Sequence, residues 1–367
     1  MAEVLLSHLT PSRLIVDIMV ICMIFGAIDH LIGNKMGLAS SFTEGFESFA
    51  SLAVSMSGIL VLVQIIEKYL IPPISPIFDF FGIDPSILAG AVLACDMGAY
   101  PLASEIAASP EGAGLGGMLL SSMMGATIVF NIPVALGVIS KDDHAVFAKG
   151  ILCGIITVPV GCLAGGLMAG YSPIFVLRNL IPVILLAAVI SLCLVFVPKI
   201  ITKVFIIFGR IIGIIATVSC VTAIASSLAG ITIIPDLGDI SEAMGTVVAV
   251  VLVLPGAYVL VNIVSRLLKK PFARLSVLLG VNEKATLGLL TTTANCIPTF
   301  SLIKEMDERG KVLNFAFLVS AGFVLGDHLA YCSASEQSLV FPLILGKLVG
   351  GLCALALAML LTREKKK

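Results

Sequence analysis

The chain has 367 residues, 59% of them hydrophobic and 12% charged, with a mean hydropathy of +1.13. A soluble domain carries roughly 25% charged residues, so this composition excludes one and points to an all-α polytopic membrane protein. The net charge of −1 offers no nucleic-acid surface, and what matters is where the charges lie.

Met1 to Thr10 has no basic stretch and no small-residue cleavage site follows the first apolar run, so the first segment is expected to be retained. Eleven apolar segments can be read against the ~20 residues a crossing helix needs. The first, residues 14–32, carries Asp17 and Asp29, both read as solvated near its ends. The second, 46–70, is followed by a proline-rich connection over 72–82. The third, 87–107, is interrupted by Asp96-Met97-Gly98-Ala99-Tyr100-Pro101. A carboxylate facing lipid is expensive, and Gly and Pro within six residues break the helical ladder, so this segment must face protein or water.

The fourth segment, 116–139, contains Ser121, Ser122, Gly125, Thr127, Asn131 and Pro133, and the fifth, 147–169, is rich in Gly and suited to close helix packing. The sixth, 173–197, has Arg178 near its start. The seventh, 205–229, leads through Asp236, Asp239 and Glu242 to the eighth, 244–264, and then to a basic loop of Arg266, Lys269, Lys270 and Arg274. The ninth, 284–303, holds a second break, Thr291-Thr292-Thr293-Ala294-Asn295-Cys296-Ile297-Pro298. The tenth, 312–333, carries Asp327, His328 and Tyr331 deep in its apolar run, and the eleventh, 339–361, precedes a basic tail of Arg363, Lys365, Lys366 and Lys367.

Sliding the chain against itself by 198 residues aligns Glu44 with Glu242, Gly58 with Gly256, Pro73 with Pro271, Gly82 with Gly280, Gly90 with Gly288, Ser122 with Ser320 and Lys149 with Lys347. Matches of Gly, Pro, Glu and Lys in gap-free register indicate a duplication. The expected organisation is a first membrane repeat over 1–170, a linking helix over 171–203, and a second repeat with its basic cytoplasmic tail over 204–367. If all eleven segments crossed, the basic loop at 266–274 and the basic tail would lie on opposite faces, against the positive-inside tendency. Re-entrant segments at the breaks near Asp96 and Asn295 remove the conflict. Nine segments then cross, and the repeats are inverted about a central solute site.

Asp96 and Asp327 are the carboxylates expected to hold a small organic cation. A primary ammonium keeps its charge near neutrality and needs about three acceptors, which Asp96, Asp327, Asn131 and Asn295 could supply. Tyr100 and Tyr331 add phenols and ring faces, and Thr292, among other hydroxyls, could serve a hydroxyl on the solute. The structural alternatives stand beside these. The threonines could bond their own backbone, the asparagines could cap broken backbone, and the aspartates could pin helices through His328. His328 is read as a proton carrier for coupling or as the group that orients Asp327. No lysine or arginine is expected at mid-membrane, Arg178 and Lys347 being placed near segment ends. Nine scattered cysteines are read as packing residues, with Cys95 and Cys296 beside the breaks and open to the pore. No metal, cofactor or enzyme motif is evident.

The run 96–103, the run 122–137 from Ser122-Met123-Met124-Gly125-Ala126-Thr127 to Leu136-Gly137, and Gly326-Asp327-His328-Leu329 resemble the ethanolamine permease family of bacterial ethanolamine-utilisation operons, EutH. The similarity extends across nearly the whole chain. It implies passage of ethanolamine across the bacterial cytoplasmic membrane to feed a cobalamin-dependent ammonia lyase, most useful when acidity leaves little neutral amine. The rival readings are an ion-coupled symporter for another small amine or amino acid, and a membrane sensor without transport. A homodimer and a homotrimer are both left open.

Overall fold

The structure is a computed structural model that describes residues 10–363; Lys365, Lys366 and Lys367 of the basic tail, and most of the stretch read for a leader, lie outside the described residues. Among the described residues every regular element is helical. Eight stretches of the described residues are long and apolar enough to cross a membrane: Pro11–Leu31, Ala39–Phe81, Pro110–Val138, Lys141–Met168, Pro173–Phe196, Pro198–Ala229, Ile240–Leu268 and Gln337–Leu361. The other three apolar segments, the third, ninth and tenth, are interrupted.

Helix α1 (Pro11–Leu31) starts where the Thr10 side chain accepts from the Arg13 N–H and Pro11 fills a first-turn position that needs no donor. Asp29 near its end is not solvated, as the sequence suggested, but fully enclosed. Its carboxylate accepts from the backbone N–H groups of Met36 (2.7 Å), Leu38 (2.6 Å) and Ala39 (3.1 Å), which replace water and clamp the turn into α2 (Ala39–Glu47). Helix α3 (Phe49–Leu60) continues through a π-helical turn to α4 (Ile71–Phe81), which Gly82 closes in the left-handed region at φ 58°.

The third segment folds as two short helices, α5 (Ser86–Val92) and α6 (Ala99–Ile106), packed on each other across a single 3₁₀ turn, Cys95–Met97. Gly98 follows the turn at φ 90°, where a Cβ would also press into the Ile59 side chain. The fourth segment, which reads as an ordinary helix, is π-helical over Ala113–Gly125 and Thr127–Asn131 before α7 (Ile132–Val138). Pro133 lacks the N–H of the α-helical ladder, and the glycines let α5 lie directly on the widened turns, Gly90 against the Gly116 carbonyl and Gly125 against that of Leu93.

Helices α8 (His144–Met168), α9 (Pro173–Phe196), α10 (Pro198–Ala229), α11 (Ile240–Val251) and α12 (Leu254–Leu279) follow, and Gly280 closes α12 at φ 63°. The second break mirrors the first: α13 (Glu283–Ala294), capped by Asn282, packs on α14 (Cys296–Leu302). Gly288 of α13 lies against Asn314 of α15 (Glu308–Ala321), so the contacts Gly90 with Gly116 and Gly288 with Asn314 stand 198 residues apart.

The tenth segment is interrupted too. Between α15 and α16 (Asp327–Ser335) the backbone N–H groups of Phe323 and Leu325 donate to the carbonyls of Thr292 (3.0 Å) and Thr293 (2.8 Å), which the end of α13 leaves without helical donors. Asp327 and His328 therefore sit in the first turn of a new helix. The last helix, α17 (Val340–Leu361), packs on α8 and α15. Where α8 and α17 cross, a Cβ on Gly161 would lie 2.8 Å from the Gly346 carbonyl and 3.2 Å from the Gly350 Cα, a backbone-to-backbone seam of paired Gly-x-x-x-Gly spacings.

Candidate cation-binding cavity

The two breaks and the start of α16 meet at one cavity of ≈ 360 Å³, at the small end of the range for ligand sites, about 300–1,000 Å³. Asp96 and Met97 reach it from the first break, Asn295 and Ile297 from the second, and Asp327 and His328 from α16. The rest of the lining includes Ser48, Ser51 and Ser55, Tyr258 of α12, and the rings of Phe130 and Phe323.

The carboxylates are held differently. Asp327 Oδ1 accepts from Tyr258 Oη at 2.5 Å, and Ser48 Oγ lies 3.3 Å from the same phenol. Asp96 Oδ1 is sealed from solvent with no hydrogen-bond donor among the described residues, 3.7 Å from His328 Nε2. The Asp96 side chain keeps 16% of its surface open to the cavity. A carboxylate short of donors in a low-dielectric wall attracts a cation able to donate hydrogen bonds.

Behind this wall stands a group that the sequence reading placed elsewhere. Lys347 is fully buried: its Nζ donates to the Ser122 carbonyl at 2.5 Å and lies 3.1 Å from His328 Nδ1. It is not a segment-end charge, because α17 begins at Val340 and carries Lys347 about 10 Å inward at 1.5 Å per residue. An ammonium at Nδ1 leaves the ring proton of a neutral imidazole on Nε2, the side that faces Asp96. Ligand atoms of Cys95, Asp96 and His328 fall within 4.8 Å of one another, a spacing compatible with a metal ion. A protonated Nε2 cannot ligate, however, and the Lys347 ammonium opposes a divalent cation, so the donor set does not suit a metal.

Four of the eight residues singled out from the sequence, Asp96, Asn295, Asp327 and His328, line this cavity; Tyr100, Asn131, Thr292 and Tyr331 stand behind or beside it. Asn295 also caps α14, its Oδ1 accepting from the Ile297 N–H at 2.9 Å. Asn131 is buried, with Cys296 Sγ 3.3 Å from its Oδ1. Thr292 Oγ1 lies 2.8 Å from Thr299 Oγ1, a bond that ties the two arms of the second hairpin. Tyr331 is fully buried, and Tyr100 Oη donates to Glu336 Oε2 at 3.3 Å in a separate opening of ≈ 590 Å³ that Tyr171 and Glu111 also line. Cys95 and Cys296 are fully buried, not open to the cavity. Tyr258 and the serines were not singled out, although Ser48, Ser51 and Ser55 follow the i, i+3, i+7 spacing of one helix face.

These features define an integral membrane protein whose interrupted helices gather carboxylates around an internal cavity. The chain matches the family described as ethanolamine utilisation protein, EutH, over residues 12–361, and it belongs to that family. It is 47% identical over 356 residues to a probable ethanolamine permease EutH of Listeria monocytogenes, covering 97% of this chain and 95% of the relative. It is 38% identical to a probable ethanolamine permease EutH of Salmonella typhimurium (95% of each chain) and 38% identical to the uncharacterized protein YxeR of Bacillus subtilis (96% of each). No solved structure matches the chain.

Proposed function

We propose that the protein is an ethanolamine permease of the bacterial cytoplasmic membrane, binding the protonated amine between Asp96 and Asp327. The observation that carries this reading is Asp96: a carboxylate at a helix break, short of hydrogen-bond donors, on the wall of a cavity sized for a small solute. The ammonium donates to Asp96 and Asp327, and the solute hydroxyl meets Asn295 or the serine stripe. Asn131, Thr292 and Tyr331 brace the wall, Tyr100 lines the way in, and His328, held on the Nδ1 side by Lys347, orients Asp96 more than it carries protons.

The two hairpins, α5 with α6 and α13 with α14, act as re-entrant elements of inverted repeats. The 198-residue register of the Gly90 and Gly288 contacts and the paired left-handed helix ends at Gly82 and Gly280 support that reading. Moving the hairpins against α8, α15 and α17 then exposes the cavity to either side in turn.

Uptake of labelled ethanolamine into proteoliposomes tests the assignment. Asp96→Asn, which keeps shape and removes charge, should abolish uptake while the purified protein melts as the parent does. Parental uptake in that variant would remove Asp96 from the site. The affinity is bounded as well: four non-hydrogen atoms at about 1.5 kcal/mol each limit binding to about 6 kcal/mol, a Kd no tighter than tens of micromolar.

A further inference from the structure

Asp96, His328 and Lys347 form one continuous polar chain from the cavity wall into the core. His328 Nε2 lies 3.7 Å from Asp96 Oδ1 and its Nδ1 3.1 Å from Lys347 Nζ, and Lys347 and His328 are 0% and 2% exposed. A buried lysine next to the binding carboxylate of a cation site is unexpected, since an ammonium there competes with the substrate's own. Its register partner Lys149 is exposed, so the burial is particular to Lys347 and not a legacy of the repeat.

We propose that Lys347 sets the charge selectivity of the cavity. Wherever the proton sits along Asp96, His328 and Lys347, as aspartate with ammonium or as carboxylic acid with amine, those residues together carry no net charge. That leaves Asp327 as the single negative charge facing the solute. Two uncompensated carboxylates around so small a cavity would favour a dication, such as a diamine or a divalent metal, over a monoamine. Lys347 removes one unit and matches the cavity to one ammonium, leaving the far end of the solute to be read as a neutral hydroxyl.

The other titratable groups around the chain do not alter this count. Cys95 on the first break, Cys162 on α8 and Tyr331 on α16 are buried behind the cavity wall, Tyr258 on α12 is a phenol bonded to Asp327, and Glu44 on α2 lies outside the cavity lining, where its charge is the same with or without Lys347. The inference rests on Asp96 and Asp327 being the cation site.

The experiment is competition in proteoliposomes at pH 7 between labelled ethanolamine and either unlabelled ethanolamine or 1,3-diaminopropane, a dication one methylene longer. In the parent, ethanolamine should compete at least about tenfold better than the diamine. Lys347→Met, close in volume and apolar, should shift that ratio towards the diamine by about tenfold or more, while Lys347→Arg, which keeps the charge, should not. A parent that takes the diamine as readily as ethanolamine overturns the inference without recourse to any variant, and so does a transporting Lys347→Met protein with the parental ratio. Absence of saturable ethanolamine uptake in the parent instead overturns the permease reading on which the inference stands.

Discussion

At the scale of single residues, the cavity is made of polar side chains whose partners lie far away in sequence. Tyr258 and Asp327 are 69 residues apart and joined at 2.5 Å. Hydrogen bonds to a charged group contribute roughly 1.5–3 kcal/mol net, so Tyr258→Phe should raise the KM for ethanolamine by about tenfold or more by letting the Asp327 carboxylate drift. An unchanged KM in that variant would mean the phenol does not position Asp327. Asp96, Asn295, Asp327 and His328 were legible in the sequence because each is a polar residue in a run that lipid would otherwise solvate. Lys347 was not legible, because its burial comes from groups distant in sequence, the Ser122 carbonyl and His328, while the helix starts at Val340, within a residue of the apolar run as read. Asp29 was misread for a related reason: its partners are backbone N–H groups of the following turn, which no side-chain pattern announces.

At the scale of elements, the breaks near Asp96 and Asn295 were readable from their Gly, Pro and Asn content, but the break at 322–326 was not. Phe323 adopts φ 60° there, a conformation sequence pattern does not predict for a phenylalanine, and it is held by hydrogen bonds to carbonyls of α13. The π-helical course of the fourth segment was hidden likewise, since it answers to the close approach of α5. Gly98→Ala should cost about 1–3 kcal/mol through left-handed strain and its collision with Ile59. Because the same turn carries Asp96, uptake should fall further than the loss of Tm alone would explain. Another joint links α8 and α15: Lys311 at the start of α15 bonds Asp143 beside α8 at 2.6 Å, with side chains 15% and 10% exposed. Lys311→Met strands a largely buried carboxylate and should destabilise by about 3–5 kcal/mol, whereas Lys311→Met with Asp143→Asn should recover much of that loss. Equal melting of the single and double variants would show that the pair does not hold α8 and α15 together.

At the scale of the whole molecule, the loop of residues 230–239 ties the segment after α3 to α11. Asp236 accepts from Lys68 Nζ at 2.7 Å and Tyr69 Oη at 2.8 Å, and Asp239 caps α11 by accepting from the Ser241 N–H. These bonds, that from Lys68 foremost for Asp236 and that from Ser241 for Asp239, hold both carboxyls below the usual carboxylate range. A group whose pKa is lowered on folding contributes stability that is complete above its unfolded value, about 3.9, and is lost as pH falls through the folded value. The clamp should therefore be indifferent to pH from about 8 down to 5 and loosen only below about 4. The chain has no tryptophan, so Ile233→Trp, an exposed site in the same loop, gives a single reporter. Its emission and anisotropy should stay constant from pH 8 to 5 and change only below about pH 4, as the loop gains freedom, while adding Asp236→Asn should produce part of that change at every pH. A transition centred near pH 6 would assign the joint to a different titrating group and detach it from Asp236.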